Sequence, residues 1–117
     1  MSIAGAWHVH SSHSLLDGLG TIDAYVARAK ELGIAGVGFA DHGTLSGAYQ
    51  QWRGGLKHGV KVAIGCEFYF APEGISSRES VEWGLLEDRA APGRYTHMCL
   101  YAMNAEGLRN LYLLQAD

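Results

Sequence analysis

Residues 61–71 read KVAIGCEFYFA, an almost unbroken apolar run with one carboxylate, Glu67, set inside it. The density of β-branched and aromatic residues predicts a strand. A carboxylate in such a run carries a large desolvation penalty unless it has a partner. A metal ion, a buried arginine, or water at an opening strand edge would each supply one. No arginine falls in a predicted strand, which leaves the metal and the open edge.

The chain around this run alternates strand and helix. Residues 7–10 (WHVH) predict a short strand. Residues 21–33 (TIDAYVARAKELG) predict an amphipathic helix, with Ile22, Tyr25, Val26, Ala29 and Leu32 on one stripe. Thr21 suits its N-cap, Asp23 its first turn and Gly33 its stop. Residues 36–41 (GVGFAD) predict a buried strand. A second helix is expected from Leu45 to His58, with Tyr49, Trp52 and Leu56 as its apolar face and Gly59 as its end. Gly54 and Gly55 weaken it by about 1 kcal/mol each. Residues 72–93 hold both prolines and read as a long surface loop. Residues 95–102 predict a fourth strand. Asn104 caps a last helix whose face is Leu108, Leu111 and Tyr112.

This order predicts an α/β fold with a mostly parallel sheet, in which ligands gather at the carboxyl ends of the strands. At 117 residues the chain is a single domain, residues 1–117, large enough to bury a core. A hydrophobic fraction of 48% against 18% charged residues excludes a disordered chain. The net charge of −3 argues against a free-standing nucleic-acid binder, though not against DNA contact through metals. Cys66 and Cys99 both fall in predicted strands, as in a reduced cytoplasmic protein. No apolar run reaches a membrane span of roughly 20 residues, and no signal sequence opens the chain.

The residues with metal chemistry cluster where strands end. His8 and His10 alternate on the first strand and share a face, about 6.5–7 Å apart. Such a pair binds one metal or two adjacent ones, but it is equally at home on a polar surface. Asp17 in Leu15-Leu16-Asp17-Gly18 reads as a ligand or as a turn aspartate. Asp41-His42-Gly43 reads as a helix cap and turn, or as a carboxylate that orients a ligand histidine. His97, inside the fourth strand, reads as a ligand or as a satisfied core histidine. His13 stands near the same region, and His58 suits a helix C-terminus. A mixed histidine and carboxylate set fits Zn, Mn or Fe, and several such ions held together suit phosphoester hydrolysis. The glycines at 33, 36 and 38 precede a strand, so they do not form a dinucleotide-binding turn.

Five segments together resemble a known family. Trp7-His8-Val9-His10-Ser11-Ser12-His13-Ser14-Leu15-Leu16-Asp17-Gly18 resembles the first motif of the PHP (polymerase and histidinol phosphatase) superfamily. Gly38-Phe39-Ala40-Asp41-His42-Gly43 is similar to its second, and Ile64-Gly65-Cys66-Glu67-Phe68-Tyr69 to the segment with its bridging glutamate. Tyr95-Thr96-His97 and the helix from Asn104 resemble the family's next histidine strand and the helix after it. The wording is closest to the branch found at the N-terminus of bacterial DNA polymerase III alpha subunits.

The resemblance implies an irregular (β/α)7 TIM-like barrel, seen here in part. It implies metal ligands at His8, His10, Asp17, His42, Glu67 and His97, holding two or three divalent ions, with Asp41 or His13 assisting proton transfer. It implies metal-dependent phosphodiester hydrolysis of the 3′–5′ proofreading type on a DNA 3′ end, in DNA replication and in the cytoplasm. Expected partners are the remainder of a polymerase subunit, a separate exonuclease subunit, or a second copy of the chain, with no membrane. The alternatives are a non-catalytic scaffold that binds another replication subunit, and a small-molecule phosphatase of the histidinol-phosphatase type. Ser11 and His13 stand where the alpha subunits more often have threonine and tyrosine. The family completes its ligand set with a Cys or His and an Asp-x-His further downstream, and this sequence reaches Asp117 after about four strands.

Overall fold

The computed structural model describes residues 4–72, 74–78, 81–82, 92–93 and 95–116. Its elements run β1 (Ala6–Val9), α1 (Ile22–Glu31), β2 (Gly36–His42), α2 (Ala48–His58), β3 (Lys61–Phe70), β4 (Val81–Glu82), β5 (Pro92–Gly93), β6 (Thr96–Tyr101) and α3 (Ala105–Ala116). Four strands form one curled sheet in the order β1-β2-β3-β6, and β4 pairs with β5 in a separate two-residue ladder.

β1 pairs with β2, and β2 with β3, in parallel, while β6 runs antiparallel to β3. The connections explain the difference. Parallel neighbours need a crossover, and α1 and α2 supply one each. No helix is described between β3 and β6, so the chain returns alongside in the opposite direction. The sheet is therefore mostly parallel, as expected, with one reversed strand. The loop expected over 72–93 contains the short β4–β5 ladder, and residues 73, 79–80 and 83–91 of it lie outside the described residues.

α1 forms where its apolar stripe predicts. Thr21 Oγ1 accepts from the Ala24 amide at 3.2 Å, closing the N-terminus. Gly33, at φ +68°, ends the helix in the left-handed region, and the Ile34 amide donates to Ala29 O at 2.9 Å. Ile22, Val26 and Ala29 pack on Val37 and Phe39 of β2. Fully buried side chains such as Phe39 contribute about 1.5–3 kcal/mol each by leaving water. A second core joins Leu45, Cys66 and Leu111 with the half-buried Ile64, Phe68 and Leu100. Of the face expected on α3, Leu111 is buried, Leu108 half-buried and Tyr112 exposed.

α2 departs from its expected reading. It begins at Ala48 instead of 45, and Leu45 is buried in the turn ahead of it. Its large residues Tyr49, Trp52 and Leu56 face outward, and it seats through Ala48, Gln51 and Gly54. A Cβ on Gly55 would meet Val60 O and Val62 Cγ2 at 3.0 Å, so the missing side chain lets the helix lie against the sheet. The glycines that weaken the isolated helix are part of its contact surface. Lys57 and His58 then tie α2 to Asp23 of α1 at 2.9 Å. The hydrogen bond from Lys57, and then that from His58, hold the Asp23 carboxyl below its ordinary range. Among the described residues, no helix is long and apolar enough to cross a membrane.

Candidate metal centre

Three β-strand ends and the loop after β1 converge on Glu67. The residue is 4% exposed, and both of its carboxylate oxygens are engaged. Oε2 lies 2.7 Å from His8 Nε2 and 2.8 Å from His10 Nε2, while Oε1 lies 2.6 Å from His97 Nδ1. Burial pushes this carboxyl up, but the imidazoles of His8 and His10, with the nearby His42, outweigh it and hold it at about 2.

His10 also meets the Asp17 carboxylate through Nδ1, and His42 Nε2 lies 3.2 Å from the same Asp17 oxygen. Both nitrogens of the His10 ring thus face carboxylates. A neutral imidazole carries only one N–H, so one of the two contacts lacks a proton unless the ring is charged or a cation stands between. His42 Nδ1 is buried and has no hydrogen-bond partner. The imidazoles of His8, His10, His42 and His97 meet edge-on in sequence, with centroids 4.4–5.0 Å apart. These features fit a site for divalent cations. Three donor sets each place their ligand atoms within 4.8 Å of one another: His8, Glu67 and Cys99; His10, Asp17 and His42; His42, Glu67 and His97.

The structure thus brings together all six residues expected as ligands: His8, His10, Asp17, His42, Glu67 and His97. The two residues expected in proton transfer, Asp41 and His13, have serine partners. Asp41 is fully buried, and its two oxygens accept from the Ser11 amide at 2.6 Å and from Ser11 Oγ at 2.8 Å. It locks the loop that carries Asp17 onto β2. Ser14 adds a second lock: its hydroxyl accepts from the His42 amide at 3.1 Å and donates to Asp17 at 3.4 Å. His13 bonds Ser46 Oγ at 2.9 Å, at the approach to α2.

A model of the PHP domain matches residues 7–116 of this sequence. The chain belongs to the PHP domain family. Curated relatives of this PHP chain are DNA polymerase III alpha subunits. That of Saccharopolyspora erythraea is 38% identical over 93% of this chain and 10% of its own length. Those of Treponema pallidum and Aquifex aeolicus are also 38% identical, over 93% and 92% of this chain and 9% of their own lengths. The chain therefore spans about a tenth of the length of these relatives. The fold is similar to that of a proposed metal-dependent phosphoesterase from Bifidobacterium adolescentis, with a TM-score of 0.63 at 21% identity, covering 99% of this chain and 34% of the other.

Sequence reasoning missed Cys99 in the PHP site. Its Sγ lies 3.4 Å from His8 Nε2, and burial together with the charge of Glu67 pushes the thiol up. The signal was present: Cys99 follows His97 by two residues and so shares its face of β6. Ser14 gave no such signal, because its role depends on how the loop folds back onto β2.

Proposed function

We propose that this PHP chain carries a metal-dependent phosphoesterase site that acts on phosphodiester bonds at a DNA 3′ end, in the manner of a proofreading exonuclease. Its setting would be bacterial DNA replication in the cytoplasm, alongside the remaining parts of a polymerase subunit. The observation that carries the reading is the two-sided use of Glu67, whose oxygens face His8 and His10 on one side and His97 on the other. A carboxylate so placed suits bridging two cations.

Two or three divalent ions, drawn from Zn, Mn or Fe, match the nitrogen and oxygen donors, with His8, His10, Asp17, His42, Glu67 and His97 holding them. Such ions neutralise charge on phosphoryl oxygens and supply a nucleophile at neutral pH. The chain's own residues set the geometry. The Asp41–Ser11 and Ser14–His42 hydrogen bonds fix the loop that delivers Asp17. Asp41 and His13 would assist proton transfer from positions held by Ser11 and Ser46.

The outward-facing Tyr49, Trp52 and Leu56 favour a second role, as a docking face for another replication subunit.

Elemental analysis and a hydrolysis assay test the main reading together. The chain is expected to hold about two or more ions and to cut a single-stranded oligonucleotide faster than a phosphomonoester. Glu67→Ala is expected to lose both metal and hydrolysis. Unchanged metal content in that variant would sink the assignment, and a preference for the monoester would move it to the small-molecule phosphatase.

A further inference from the structure

Tyr69 follows Glu67 by two residues, and Tyr95 precedes His97 by two. Residues at this spacing share a face of the sheet, so both tyrosines emerge on the side that carries the cluster. Tyr95 stacks on the His97 ring, with centroids 6.0 Å apart and 7° between planes. Tyr69 meets both edge-on, at 5.0 Å from Tyr95 and 5.1 Å from His97. A Cβ on Gly43, next to His42, would sit 3.3 Å from the Tyr69 ring, so that ring also lies against the turn after β2. Each tyrosine is 53% exposed. With Ile75 and Arg78 they line an open cleft of about 380 Å³. Among the described residues, no ion pair involves Arg78.

A half-exposed aromatic wall that continues directly into a phosphoester cluster, with a guanidinium at its rim, matches one ligand chemistry. That ligand is a flat ring attached to an anionic backbone. Stacking on tyrosine suits any nucleobase, because every base has a π-face. Arg78 suits the next phosphate along the strand. A small phosphomonoester without a ring would leave the wall bare.

The geometry points to a base-stacking subsite, formed by Tyr69 and Tyr95 beside the metal cluster, that takes a nucleobase of single-stranded nucleic acid. The inference rests on the phosphoesterase reading only for the position of the strand's phosphate.

Binding tests it. A short single-stranded oligonucleotide ending in 2-aminopurine is titrated with the Mn-loaded full chain and its fluorescence followed, beside the same strand ending in an abasic residue. The base-bearing strand is expected to bind about 5- to 100-fold more tightly, the range that stacking on aromatic side chains carries. Its fluorescence is expected to be quenched on binding. Tyr69→Leu with Tyr95→Leu is expected to erase both the preference and the quenching, while Tyr95→Phe keeps them. Equal affinity for the two strands, or quenching that survives the double substitution, overturns the subsite. The two readings fail separately. Cleavage of both strands with equal affinity removes the subsite and keeps the phosphoesterase. Quenching with the expected preference, but no cleavage under any metal, keeps the subsite and removes the phosphoesterase.

Discussion

His42 Nδ1 lies 3.7 Å from Glu67 Oε2, across the parallel register that makes the two residues partners on β2 and β3. The gap is too long for a hydrogen bond, and the nitrogen is buried with no other acceptor or donor. His42 and Glu67 belong, with His97, to one donor set whose ligand atoms lie within 4.8 Å of one another. His42→Ala is expected to lower metal affinity by more than the roughly 10–100-fold that accompanies loss of a ligand's supporting partner. Competition against a chelator measures it, and an affinity equal to wild type would remove His42 from the ligand set.

Asp41 satisfies two donors of Ser11 inside the protein. Asp41→Ala leaves both without their partner, and losing a buried partner costs about 1–3 kcal/mol per group. The denaturant midpoint of the metal-free chain is expected to fall accordingly, with metal affinity falling too as the Asp17 loop loosens. Asp41→Asn, which keeps an acceptor, should lose less. A midpoint unmoved by the alanine would show that the Ser11 contact contributes nothing.

The Glu67 carboxyl sits at about 2 in the fold against 4.5 ordinarily. A depressed carboxyl stabilises the fold above its ordinary value and loses that contribution as pH falls towards its folded value. The metal-free chain is therefore expected to lose stability as pH drops from about 4.5 to 2. Glu67→Gln should flatten that part of the curve. Identical acid limbs for the two proteins, followed by circular dichroism, would contradict the coupling.

Gly54 and Gly55 make a matched pair on α2. A Cβ on Gly54 would meet Val26 and Ile22 side-chain atoms at 3.5 and 3.6 Å, ordinary contact, whereas one on Gly55 meets backbone Val60 O at 3.0 Å. Gly54→Ala is expected to stabilise by about 0.5–1 kcal/mol through helix propensity. Gly55→Ala should forfeit that gain by pushing α2 off the sheet. Equal midpoints for the two variants would refute the distinction.

Much of this molecule is legible in its sequence because the decisive signals are local. The stripe from Ile22 to Ala29 places α1, and the apolar runs around Phe39 and Ile64 place β2 and β3. The conflict of a carboxylate inside a strand marks Glu67. What escapes depends on partners distant in sequence. The outward face of α2 is hidden because Tyr49, Trp52 and Leu56 have helical spacing whether or not anything covers them, and seating is decided by what glycine permits. Asp41 reads equally well as a cap, a ligand support or a loop lock until the position of Ser11 is known. The reversal of β6 was open to inference, since no crossover helix was expected before it.

The reversed strand also bears on how the molecule can vary. Phe70 pairs with Thr96, so the chain leaves β3 and enters β6 at the same rim, one residue ahead of His97. The segment between them is tethered at both ends beside the cluster, while the three parallel strands are fixed by α1 and α2 on other connections. The length of this segment can therefore change without altering either crossover that sets the register of those strands. Sequence variation there leaves the donors on β1, β2 and β3 held by connections of their own.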